Sequence, residues 1–277
     1  MKSTLAALGL ALAGMYLTTQ APLAAQESET GALSADDKAA IEDALRLGEA
    51  IYRHDQAAWH TTDAMVAAVG DPGALGIRGW IVNEIEGGHE VVFFRPLDEG
   101  FEAAWSANYD GSRVTDEREY KPGARPFTEA EAAMANARMA PFSVDTDYAL
   151  CSDRLNTVVL PSGKANGALY AYLLAPQPTL DQIPFGGHFR FEVVDGKVID
   201  HRRFTNSCLT MSLPREGEPR PVAMAVTHLL DATPTEVHVF SAYVAQMPIS
   251  VLAVEGDRNW WVELVEGKPN IRLIRID

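Results

Sequence analysis

Cys208 and His188 are the most reactive combination of side chains in this sequence, because an imidazole can take the proton of a thiol and leave a thiolate nucleophile. His228, Glu236 and His238, with His188 as a further imidazole, are types that zinc accepts. Read as a strand, Glu236, His238 and Phe240 alternate onto one face while His228 belongs to the strand before, and no spacing forces the set together. His89-Glu90 opens like a zinc-protease helix signature, but Phe93 stands where the second histidine belongs and the segment has strand character. The chain holds no Gly-x-Ser-x-Gly elbow, and Ser162-Gly163-Lys164 is not a phosphate loop. No residue is assigned as catalytic, and no metal or cofactor is expected.

Two further groups are suited to binding. A two-residue turn at Asp195-Gly196 predicts Arg190 opposite His201 and His188 opposite Arg203, with Glu192 on the same face. That face is either a polar patch approached through Gly186-Gly187 or the wet side of a half-solvated antiparallel hairpin. In Asn259-Trp260-Trp261-Val262 the indoles must point to opposite sides of a strand, so at most one joins the main core. The candidate contact residues are therefore His188, Arg190, His201 and Trp260 or Trp261.

The elements that must position these residues follow a leader. Lys2, the apolar run Thr4 to Leu17 and the small residues before Gln26 have the order of a secretory signal peptide, 1–25, cleaved near Ala25. The run is short for a bilayer span, and no later stretch approaches the ~20 apolar residues a span needs. The mature chain is expected in the periplasm or outside the cell, with a retained N-terminal anchor as the alternative. There Cys151 and Cys208 are expected to form one disulfide. The formal net charge of −15 repels phosphate backbones and anionic lipid, which argues against nucleic acid as a partner.

Residues 26–33 form a polar lead-in expected to lack order, and the globular region spans 34–277. Ser34 with Asp37 predicts a capped helix from Ala35 to Arg53, and Asp55 a cap for a second helix ending at Asp71-Pro72-Gly73. From Ile77 onward, short β-prone runs alternate with turns at Gly87-Gly88, Asp110-Gly111, Asp195-Gly196 and Glu266-Gly267, and Glu236–Tyr243 is among the expected strands. A boundary near 121–142 divides two strand groups: Lys121 to Pro126 is rich in turn residues, and Thr128 with Glu131 opens a mid-chain helix. The expected class is α+β, an antiparallel strand-rich meander with N-terminal helices and that mid-chain helix.

Several segments carry a resemblance. Tyr52-Arg53-His54-Asp55-Gln56-Ala57-Ala58-Trp59-His60-Thr61-Thr62-Asp63, Asn156 to Pro161, Gly186-Gly187-His188-Phe189, Asn206-Ser207-Cys208 and Thr227 to Asp231 with Thr233 to Phe240 resemble a group of predicted exported proteins of Gram-negative bacteria that carry no assigned activity. The resemblance implies export and a shared fold and brings no catalytic residue. A fainter likeness to L,D-transpeptidases, histidine before a Ser-x-Gly-Cys-x-Arg segment, is broken by Ser207 and Thr210 at the glycine and arginine positions. The leading expectation is a non-catalytic module that binds a small envelope ligand or a protein partner. The alternative is an envelope hydrolase or transpeptidase using Cys208 and His188.

Overall fold

The computed structural model describes residues 33–146, 148, 150–215 and 217–274. The expected leader and all but the last residue of the lead-in lie outside the described residues. Among the described residues, three α-helices and four small sheets make an α+β fold, as the turn chemistry and capping motifs predict.

Helix α1, Ala35–Val69, begins at the expected box: Ser34 Oγ accepts from the Asp37 amide at 3.0 Å and the Asp37 carboxylate accepts from the Ser34 amide at 3.2 Å. The second cap expected at Asp55 does not form, and α1 runs through it as one helix of 35 residues. Residues 53–56 contain no proline or glycine to interrupt the ladder. The buried stripe of Ile51, His54, Ala57, Ala58, Thr61 and Met65 continues across the expected break.

Strands β1, Gly79–Ile85, β2, Gly88–Pro96, β3, Phe101–Tyr109, and β4, Val114–Glu119, form an antiparallel meander in that order. Helix α2, Glu129–Met139, opens at the Thr128–Glu131 box. The second sheet orders β5, Asn156–Pro161, β6, Leu169–Leu174, β8, Phe189–Val194, and β9, Lys197–Arg203. Two short strands, β7, Gln182–Pro184, and β10, Thr210–Ser212, pair with each other. The last sheet holds β11, Met224–His228, β12, Ile249–Ala253, β13, Arg258–Val265, and β14, Lys268–Ile274.

The last sheet departs from the meander. β11 and β12 are parallel, and the segment between them, expected as a strand, is helix α3, Glu236–Ala245. All but one of its ten residues are buried, so its apolar residues show no helical period and its valines and aromatics imitate a strand. Its start is fixed by Thr235, whose amide donates to His238 Nδ1 at 3.0 Å, histidine taking the place glutamate usually has in a capping box.

The Asp195-Gly196 turn forms as expected, with φ of 49° and 70°, but the register beyond it does not. Ile199 is an extra residue in β9, so Arg190 faces Arg202 and Phe191 faces His201. The patch expected from Arg190, His201 and His188 is therefore split between faces. β8 is covered on both sides: Phe189, Phe191 and Val193 pack with Ala137 and Ala140, while Arg190 points at α3.

Successive turns of α1 enter different cores. Ile41 and Ala44 join the cluster of α3 and the last sheet, Leu47 and Ile51 that of the second sheet, and Ala57 and Met65 that of the first. Between them α1 crosses α3 at Gly48, where a Cβ would stand 2.5 Å from Val239 Cβ and 2.7 Å from the Glu236 carbonyl oxygen. In an open helix, replacing glycine by alanine stabilises by roughly 1 kcal/mol. Here the added methyl overpacks the crossing, which costs typically 1–3 kcal/mol. Gly48→Ala is expected to lower stability by about 1 kcal/mol or more in urea unfolding; a gain in stability would show that the helices are not in contact there.

Candidate functional site

Asp55 and Trp59 sit one turn apart on α1 and so share a side of it. They form one wall of a cleft of about 370 Å³, with Asn156 of β5, Phe240, Ser241 and Val244 of α3, and the loop from Leu174 to Pro184 as the others. Asn156 Nδ2 donates to Asp55 Oδ1 at 3.3 Å. Burial raises the Asp55 carboxyl from 3.8 to about 6, and this amide bond opposes the shift only in part. Asp55 is the one titratable side chain among the described lining residues. Trp59 stands 44% exposed at the rim.

The loop that closes the cleft is strapped from below by His188, which is fully buried. Its Nδ1 accepts from the Ala175 amide at 3.3 Å and its Nε2 donates to the Pro184 carbonyl at 3.0 Å, so one imidazole holds both ends of the loop. Those bonds assign the tautomer, and burial lowers the ring from 6.5 to about 4. Against Gly187, next in the chain to His188, lies the expected disulfide between Cys151 and Cys208, with Cα atoms 5.4 Å apart. Gly186-Gly187 does admit a close approach, but to the chain itself. A Cβ on Gly187 would lie 2.7 Å from Cys151 Sγ, and one on Gly186 would lie 1.9 Å from the Ser207 carbonyl oxygen.

The other residues singled out from the sequence are distributed as fasteners around the cleft. Arg190 donates to Glu236 at 2.6 Å, Tyr172 adds a hydroxyl to the same carboxylate at 3.1 Å, and the pair ties β8 to the start of α3. His201 lies at the surface on the opposite side of the sheet, its Nδ1 2.7 Å from the Tyr148 hydroxyl. The indoles divide as alternation requires: Trp260 is fully buried and donates to the Ala232 carbonyl at 3.0 Å, while Trp261 is half-buried and donates to Glu263. His228 and His238 meet edge to face, with ring centroids 4.7 Å apart, and His228 Nε2 lies 2.8 Å from the Asp231 carboxylate, which also accepts from Arg202. Glu236 is engaged by Arg190, and among the described residues no three histidine, cysteine, aspartate or glutamate side chains are grouped to hold a metal ion.

A second hollow of about 800 Å³ opens on another part of α1, with Arg46, Glu49, Arg53, Glu84 and His89 in its walls. Its arginines are matched within their own helix, Arg46 by Asp43 and Arg53 by Glu49. The Asp55 cleft differs in joining an apolar lining to one carboxyl that no ionic partner matches among the described residues. Sequence reasoning missed Asp55 and Asn156, and it counted Trp59 only among five tryptophans able to stack on a flat ligand, most of them expected in the core. The available signal was an aspartate inside an apolar helical stripe, which was assigned to a cap. Comparison with models of known families, with curated proteins and with solved structures finds no match.

His54, His188 and His238 are all buried, and burial lowers them to about 4, 4 and 3. A histidine with a depressed pKa contributes stability that is present above its ordinary 6.5 and is lost as pH falls through the folded value. Asp55 acts in the opposite sense, since its raised pKa favours the folded chain below 3.8 and that contribution is lost as pH rises through about 6. Three shifted imidazoles outweigh one carboxyl, so the urea midpoint is expected to fall steadily from pH 6.5 to 4. His188 alone contributes on the order of 3 kcal/mol at about 1.4 kcal/mol per unit. His188→Gln should flatten the slope; an unchanged slope would remove His188 from the account.

Proposed function

We propose that this chain is an exported, non-catalytic binding protein whose Asp55 cleft holds a small, largely apolar molecule with one polar head. The observation that carries the reading is the cleft itself: an apolar hollow of about 370 Å³ with a single carboxyl in its wall and an indole at its mouth. Cavities of roughly 300–1,000 Å³, mostly apolar with a few placed polar groups, are the usual form of small-molecule sites. A lone carboxyl with no second titratable side chain among the described lining residues, and with the Ser241 and Thr179 hydroxyls donated to the Val237 carbonyl and the Asp181 carboxylate, supports binding over bond making. The Cys151–Cys208 disulfide supports delivery to an oxidising compartment, where an envelope component is the natural ligand.

The hydrolase or transpeptidase reading has less support. Cys208 is joined to Cys151, and both nitrogens of His188 are engaged by backbone groups. A thiolate–imidazole pair needs both partners free.

N-phenyl-1-naphthylamine, an uncharged arylamine whose fluorescence rises in apolar surroundings, tests the reading. Titration of the wild-type chain is expected to give saturable enhancement at micromolar dye. Val244→Trp, which places an indole in the cleft from α3, is expected to weaken it at least tenfold with unchanged circular dichroism. Absence of saturation in the wild-type chain, or equal binding by the variant, would rule out the cleft as the site.

A further inference from the structure

We propose that the polar head of the ligand is an ammonium group, seated against the Asp55 carboxylate with the Trp59 indole beside it; this rests on the cleft being a binding site. Three observations point to a cation.

The first is that the Asp55 carboxylate is held by one side-chain amide at 3.3 Å, and no arginine, lysine or histidine matches it among the described residues. Elsewhere, buried or half-buried carboxylates have cations: Glu102 has Arg95 at 2.6 Å, Glu236 has Arg190 at 2.6 Å and Asp231 has Arg202 at 2.6 Å. A half-buried carboxylate lacking such a partner is held at a cost that an incoming cation removes. A neutral donor would replace only a hydrogen bond.

The second is the position of Trp59. Its indole lies on the same side of α1 as Asp55, one turn further on and partly exposed, and is stacked on the His60 ring with centroids 5.4 Å apart. Indole is the aromatic side chain whose face attracts a cation most strongly. A carboxylate and an indole flanking an apolar hollow match a molecule with an ammonium head and an apolar body.

The third is the field of the whole chain, whose formal net charge of −15 draws cations toward the cleft and repels anions.

The groups facing Asp55 leave its charge unmodified by other ions. Asn156 faces it from β5, Phe240, Ser241 and Val244 from α3, and Gln177 and Thr179 from the loop, all uncharged. The Tyr52 phenol, a turn earlier on α1, is raised by burial and further by the Asp55 charge, and is neutral at these pH values. Ammonium binding must therefore weaken as the carboxyl takes up its proton near pH 6.

Phenethylamine and 2-phenylethanol share a body and differ in the head, and the amine stays protonated at pH 7.5 and at pH 5. In displacement of N-phenyl-1-naphthylamine from the wild-type chain at pH 7.5, the amine is expected to act at a concentration at least tenfold below that of the alcohol. At pH 5 the advantage should shrink to about threefold or less, and Asp55→Asn should abolish it at both pH values. Equal potency of amine and alcohol on the wild-type chain at pH 7.5 would overturn the ammonium assignment while dye binding leaves the cleft reading standing. An amine advantage that persists in Asp55→Asn would overturn it equally. If the wild-type chain binds no dye, the cleft reading and the assignment fall together.

Discussion

One uninterrupted helix supplies side chains to the core beneath each of the three larger sheets, and the rest of the fold is arranged along it. Ile41, Ala44, Leu47, Ile51, Ala57 and Met65 are buried in sequence along α1, each pair in a different cluster. The start of the helix is tied to β13 by Arg258, which donates twice to Asp37, at 2.9 and 3.0 Å. Its middle is fixed by the close crossing with α3 at Gly48. A helix anchored at those points has no freedom to turn Asp55 toward solvent. The carboxyl is held in the wall of the cleft by packing elsewhere along α1.

The polar residues that first suggest chemistry are mostly the fasteners of this arrangement. His188 joins the two ends of the cleft loop, Arg190 and Glu236 join β8 to α3, and Asp231 joins His228 to Arg202. Buried polar groups need partners, and removing one partner strands the other at a cost of several kcal/mol. The disulfide adds a covalent tie at the same level, beneath a Gly186-Gly187 backbone that leaves no room for side chains. The loop of the cleft is thus held at both ends, while the Asp55 carboxyl in the facing wall has no ionic partner among the described residues.

Local chemistry was the legible part. The boxes at Ser34 and Thr128, the turn at Asp195-Gly196 and the opposite facing of Trp260 and Trp261 follow from interactions a few residues apart, and the structure shows each of them. The disulfide was legible for a different reason, because two cysteines allow one pairing. What failed depended on distant partners. α3 lacks a helical period because it is buried nearly all round. The β8–β9 register is displaced by the single extra residue Ile199, which no local pattern announces. Asp55 resembles a cap in sequence, and only the continuing burial of Ala57, Ala58 and Thr61 beyond it shows that the helix does not stop.

The most direct measurement is the titration of the Asp55 side-chain carboxyl carbon by nuclear magnetic resonance in the free, wild-type chain. Held in the cleft wall without an ionic partner, the group is expected to change its shift with a midpoint near 6, where burial places it. A midpoint at the ordinary aspartate value of about 4 would mean that the carboxyl is solvated. The shielded setting of Asp55, and with it the binding reading of the cleft, would then be wrong.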